Sequence, residues 1–213
     1  MTPADASKQT LDVARLAPVI PVLTIPDASK AEALARALIA GGLPALEVTL
    51  RTPAALDAIR EMARVEGGVV GAGTIMSPAD VAAAKDAGAL FGVSPGATDR
   101  ILDAAEEAGL PMLPGAATAS EVMRLLERGY TMLKFFPAEA SGGAPALGAF
   151  AGPIPQVTFC PTGGVSLKNV RDYLALPNTI CVGGSWVAPA AMIEDGDWDG
   201  IETLAREAAV LAG

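Results

Sequence analysis

Four of the five lysines in the sequence, Lys8, Lys30, Lys85 and Lys168, fall in polar or helical settings, whereas Lys134 is embedded in the apolar run Met132-Leu133-Lys134-Phe135-Phe136-Pro137. Side chains alternate along a strand, so Leu133 and Phe135 share one face and Lys134 shares the other with Met132 and Phe136. Desolvation penalises an ammonium, and a free amine is what nucleophilic attack on a ketone needs. The plain alternative is a lysine that snorkels to solvent at the end of its strand.

The segment Ala45-Leu46-Glu47-Val48-Thr49-Leu50-Arg51 carries a second set. Leu46, Val48 and Leu50 make an apolar face suited to packing under helices, which turns Glu47, Thr49 and Arg51 to the other side. A buried carboxylate is costly unless it is paired or has a task. Glu47 is therefore either half of a structural ion pair with Arg51 or a proton carrier beside a guanidinium fork suited to a substrate carboxylate. The chain has no histidine. That removes Ser-His and Cys-His nucleophile systems and the commonest metal ligand, leaving proton transfer to Asp, Glu, Lys, Tyr, Cys or water.

Two glycine clusters, Pro161-Thr162-Gly163-Gly164-Val165-Ser166 and Val182-Gly183-Gly184-Ser185, suit a small oxyanion such as a phosphate. Without a Cβ, the backbone N–H groups can approach the anion closely, and a following helix N-terminus adds a favourable dipole. Cys160 and Cys181 form no spacing pattern; they read as buried thiols of a reducing cytosol rather than as a disulfide or a nucleophile.

These residues need elements to position them. With 213 residues, 51% of them hydrophobic, the chain is long enough to bury a full core as a single domain over 1–213. A formal net charge of -9 leaves no basic surplus for nucleic acid. The early apolar stretch Leu16–Ile25 is too short for a membrane span. Eight strand candidates, Val19–Ile25, Ala45–Leu50, Val69–Thr74, Leu90–Ser94, Pro111–Pro114, Met132–Phe136, Gln156–Cys160 and Thr179–Val182, alternate with Ala-rich helices. A leader helix over Lys8–Leu16 precedes them and a final helix over Ile201–Leu211 follows. Ser29 with Glu32 and Thr118 with Glu121 have capping-box spacing. Thr52-Pro53 and Ser77-Pro78 place a cap before a first-turn proline, and Gly41, Gly67, Gly88, Gly109 and Gly129 mark helix exits. Regular strand–helix alternation implies parallel pairing. The expected fold is α/β, a closed (β/α)8 TIM barrel with an N-terminal leader helix, whose site lies at the carboxyl ends of the strands. An open doubly wound sheet is the alternative, disfavoured because no G-x-G-x-x-G follows the first strand.

In order along the chain, the segments Leu46-Glu47-Val48-Thr49-Leu50-Arg51, Gly71-Ala72-Gly73-Thr74, Ser94-Pro95-Gly96, Lys134-Phe135-Phe136-Pro137-Ala138-Glu139, Phe159-Cys160-Pro161-Thr162-Gly163-Gly164 and Gly183-Gly184-Ser185-Trp186 resemble those of the 2-keto-3-deoxy-6-phosphogluconate (KDPG) aldolase family. The resemblance runs from about Pro18 to the final helix. It implies a Schiff-base lyase releasing pyruvate and glyceraldehyde 3-phosphate; substrate breadth stays open, with the galactonate epimer and the unphosphorylated 4-hydroxy-2-oxoglutarate (KHG) as candidate second substrates. By the same resemblance, Lys134 is the imine-forming lysine and Glu47 the general acid/base. Arg51 and Thr74 bind the pyruvate carboxylate; Pro95, Phe136 and Thr162 line the pocket; and Gly163, Gly164, Gly184 and Ser185 hold the phosphate. It further implies a cytoplasmic homotrimer that needs no metal and no cofactor, acts on a small phosphorylated keto acid, and has no nucleic-acid or membrane partner. Two rival readings would keep the glycine clusters: a phosphate-binding isomerase or synthase that forms no imine, and a non-catalytic sugar-phosphate sensor.

Overall fold

Strands and helices alternate throughout the computed structural model, which describes residues 1–211. The strands are β1 (Val19–Leu23), β2 (Ala45–Thr49), β3 (Val69–Gly73), β4 (Phe91–Val93), β5 (Met112–Leu113), β6 (Gly115–Ala116), β7 (Met132–Phe135), β8 (Thr158–Pro161) and β9 (Val182–Gly184). The helices are α1 (Pro3–Ala14), α2 (Ala31–Ala40), α3 (Ala55–Met62), α4 (Pro78–Asp86), α5 (Asp99–Ala108), α6 (Ala119–Arg128), α7 (Gly143–Gly148), α8 (Val170–Leu174), α9 (Ala190–Asp195) and α10 (Trp198–Ala209).

The expected closed eight-stranded barrel is overturned. The strands instead form a curled six-stranded sheet in the order β5-β4-β3-β2-β1-β9 and a three-stranded sheet in the order β6-β7-β8, a TIM-like arrangement in which all the pairing is parallel. One break falls at Pro114. Proline has no N–H for a ladder, so it splits the fifth strand into β5, which pairs with β4, and β6, which pairs with β7. The other break lies between β8 and β9. There only two isolated bridges form, Phe159 with Thr179 and Thr162 with Gly183, and their registers differ by one residue. The last strand consequently begins at Val182, where the sequence pattern places its end.

Alternation sorts the apolar side chains into two clusters. Leu46 and Val48 pack between sheet and helices, whereas Ala45, Ile20, Phe91, Val93, Met132 and Cys160 fill the concave interior. Ala14, with Leu11 and Val13 beside it, joins the interior cluster. Helix α1 thus covers the interior's amino-terminal end, and it is tied there by the Ser7 hydroxyl, which accepts from the Thr131 N–H at 2.9 Å. This helix starts earlier than the expected Lys8, because Thr2 and Asp5 form a reciprocal capping box.

Several of the helix-end expectations need correcting. Ser29 does not cap α2: Asp27 accepts from the Ser29 N–H and starts a short 3-10 turn instead. Thr52 caps nothing either, since its hydroxyl donates to the Ile25 carbonyl at 2.5 Å and α3 begins only at Ala55. At the exit of α2 the left-handed residue is Gly42, not Gly41. Ser77 and Thr118 cap as expected. Glu121 completes the Thr118 box by accepting from the N–H groups of Ala117 and Thr118, and those bonds hold its carboxyl below its ordinary 4.5. Its contribution is therefore complete above that value and is lost as pH falls through the depressed one. Thr118→Ala is expected to lower stability by about 1 kcal/mol. Urea unfolding reads this, and an unchanged midpoint would show that the cap carries no weight.

Candidate active site

Two buried charged groups meet across the concave interior. Lys134 Nζ donates to Glu47 Oε1 at 3.2 Å, from β7 and β2, which share no ladder. The residues are 4% and 3% exposed, so they form a buried ion pair. Lys134 therefore does not snorkel to solvent. Nor does Glu47 pair with Arg51, the structural alternative that the sequence left open.

The space for this pair comes from glycine. A Cβ on Gly73 would lie 2.2 Å from Glu47 Oε1, and one on Gly71 would lie 2.5 Å from the Phe91 ring. These two positions alternate on the inward face of β3, where the sequence pattern showed only a glycine-rich strand. Gly73→Ala must push the carboxylate aside. Displacement of a catalytic group by about an ångström costs roughly 100-fold in turnover. Steady-state kinetics on folded protein check this, and wild-type turnover would show that the Glu47 position is not critical.

Above the pair, Nζ sits 5.3 Å from the Phe136 ring centroid, within cation–π range. Phe136 in turn lines a cleft of about 400 Å3, together with Val22, Thr24, Arg51, Thr162, Gly163, Gly164, Gly183 and Ser185. Its size suits a small phosphorylated acid. Arg51 Nε donates to Thr74 Oγ1 at 3.2 Å, a bond that leaves the two terminal guanidinium nitrogens for a ligand. Among the described residues Thr74 is the one non-glycine with positive φ, at 61°. A β-branched residue held there costs about 1–3 kcal/mol, a strain typical of positions fixed for function. Pro95, expected to line the pocket, is not among the residues lining this cleft; its backbone carbonyl would be 2.3 Å from a Cβ on Gly115, the residue in register with Lys134.

At the far end, Gly163 and Gly164 are successive left-handed residues, at φ 97° and 82°. No Cβ shields their N–H groups, and a side chain at Gly164 would run into Glu139 at 2.6 Å. Glu139 braces this loop twice. Its N–H donates to the Gly163 carbonyl at 3.0 Å, and its carboxylate accepts from the Tyr173 hydroxyl. Burial, followed by that bond, pushes the Tyr173 hydroxyl well above the ordinary tyrosine range. The expected helix dipoles do not begin at the glycines, because α8 starts at Val170 and α9 at Ala190. What this end of the cleft offers an anion is therefore loop N–H groups and the Ser185 hydroxyl. Gly184 lies buried behind the cleft against the Trp186 ring rather than lining it. Both cysteines are buried. Hydrogen bonding with Cys160 and then burial raise the Cys181 thiol well above its ordinary range, which is unsuited to a nucleophile.

Comparison with known proteins converges on the same chemistry. The family model for KDPG and KHG aldolases matches residues 11–204. A 2-dehydro-3-deoxy-phosphogluconate aldolase of Pseudoalteromonas atlantica is 52% identical over 198 residues, 92% of each chain. The KDPG aldolase of Zymomonas mobilis ZM4, crystallised with 3-phosphoglycerate, superposes with a TM-score of 0.92 at 47% identity, covering 96% of this chain and 97% of that one. The Legionella pneumophila KDPG aldolase, in which pyruvate was captured as a covalent carbinolamine, superposes with a TM-score of 0.90 at 45% identity, covering 92% and 96%.

Proposed function

This chain belongs to the family of KDPG and KHG aldolases, and we propose that it cleaves KDPG through an imine formed on Lys134. It is an aldolase, a carbon–carbon lyase. The observation that carries the mechanism is the buried pairing of the one strand-embedded lysine with Glu47 at 3.2 Å, within reach of direct proton transfer.

Transfer of a proton from Lys134 to Glu47 frees the amine, which attacks the C2 ketone to give a carbinolamine. Glu47 returns a proton to the departing hydroxyl, and loss of water leaves a protonated imine. Arg51 and Thr74 hold the C1 carboxylate and so orient the ketone toward the amine. Phe136 and Thr162 wall the reacting carbons. Glu47, again a carboxylate, takes the C4 hydroxyl proton and so drives cleavage of the C3–C4 bond; the electron pair passes to the iminium nitrogen, and glyceraldehyde 3-phosphate leaves. Glu47 returns that proton to C3 of the enamine, and hydrolysis of the resulting imine releases pyruvate and restores the amine. The iminium is the electron sink, so the scheme needs neither metal nor cofactor. Gly163, Gly164 and Ser185, with Gly184 behind them, receive the phosphate.

The covalent pyruvate adduct of the Legionella relative supports this route. KHG, named in the family description, is the second substrate; it lacks a phosphate and leaves the glycine loops unfilled. We also place the enzyme in the cytoplasm as a homotrimer, with no nucleic-acid or membrane partner. No helix among the described residues is long and apolar enough to cross a membrane. Sedimentation tests the trimer. A lactate dehydrogenase-coupled assay for pyruvate release from KDPG tests the activity: turnover is expected, and binding without turnover would favour the sensor.

A further inference from the structure

We propose that Thr24 selects the substrate by accepting a hydrogen bond from a hydroxyl on the carbons between carboxylate and phosphate, an inference that rests on the placement of those two groups above. The proton inventory carries it. Thr49 Oγ1 donates to the Leu23 carbonyl at 2.8 Å, which uses its single hydroxyl hydrogen. In the 3.2 Å contact between Thr24 Oγ1 and Thr49 Oγ1, Thr24 must therefore be the donor. Its own hydrogen is then committed, and what it offers the cleft it lines is lone pairs. Such an oxygen repels carboxylate and phosphate oxygens and suits an O–H donor.

The topology places this acceptor at the right point. Strand β1 lies between β2 and β9, with Val22 in register with Glu47 and Pro21 with Gly184. Thr24, two residues beyond Val22 and just past the end of β1, thus stands between Arg51, two residues past the end of β2, and Ser185, just past the end of β9, and all three line the cleft. A substrate anchored by its carboxylate at the first and by its phosphate at the second carries its hydroxyl-bearing carbons past Thr24. Phe136 and Thr162 follow β7 and β8 of the other sheet and complete the lining of the cleft.

The test compares wild type, Thr24→Val and Thr24→Ser in two assays on the full chain: KDPG cleavage, and exchange of the pyruvate methyl protons with deuterium oxide. Pyruvate has no hydroxyl, so exchange should be unmoved by Thr24→Val. The kcat/KM for KDPG should fall about 3- to 10-fold, the scale of one neutral hydrogen bond, and Thr24→Ser should recover it. Unchanged KDPG kinetics in Thr24→Val would overturn the proposal, as would an equal fall in both assays, which would make Thr24 a mere support for Thr49. If wild-type protein fails to exchange pyruvate protons at all, the imine reading itself fails, and the two failures stay distinguishable.

Discussion

Lys134→Met is expected to reduce pyruvate release from KDPG by roughly 10⁴-fold or more, the scale on which loss of a covalent nucleophile is felt. No other lysine can substitute, because Lys8, Lys85 and Lys168 are exposed and Lys30 donates to the Glu194 carbonyl, whereas Lys134 is the lysine placed against Glu47 and Phe136. The methionine side chain is close in length and fills the same space, but it leaves the Glu47 carboxylate buried with no counter-charge. Breaking a buried pair from one side costs about 3–5 kcal/mol, so stability is expected to fall as well. The double variant Lys134→Met/Glu47→Gln separates the two effects. It removes the stranded charge and should regain stability in thermal unfolding while remaining inactive. Recovery of activity along with stability would mean that Lys134 serves only the fold.

Glu47→Gln is expected to slow cleavage by about 10²–10⁴-fold, the usual weight of a positioned general acid/base. Glutamine preserves the shape that Gly73 makes room for and can still meet Lys134, so the interior should stay packed. What it loses is the capacity to take and return a proton at 3.2 Å from Nζ. The ketone should still occupy the site, so the KM for KDPG should change much less than kcat. Stopped-flow kinetics locate the defect: imine formation and enamine protonation should both slow. Full activity in Glu47→Gln would remove this residue from the mechanism and leave water to carry the protons alone.

Lys134 and Glu47 stood out in the sequence because each breaks an otherwise apolar alternation, a violation that burial makes costly and function explains. Arg51 followed from strand alternation, Gly163, Gly164 and Ser185 from the loops after their strands, and Thr162 from the family resemblance; the cleft gathers all five. Thr24 was not legible in this way. A threonine ending a strand is ordinary, and its role emerges only from the hydrogen that Thr49 has already spent on Leu23. The task of Gly73 was hidden for a similar reason, since the carboxylate it accommodates comes from a neighbouring strand. Strand order and parallel pairing could be read from alternation, but closure could not, because ladder continuity depends on partners that a local pattern does not show. Pro114 was the available signal: a residue without an N–H at the end of an expected strand marked where the sheet would break.

Borohydride reduction in the presence of pyruvate, followed by peptide mass mapping, tests the imine most directly. The expected result is a single reduced pyruvate adduct on the peptide containing Lys134, absent from Lys134→Met. An adduct confined to another lysine, or none in folded protein that binds pyruvate, would contradict the Schiff-base mechanism.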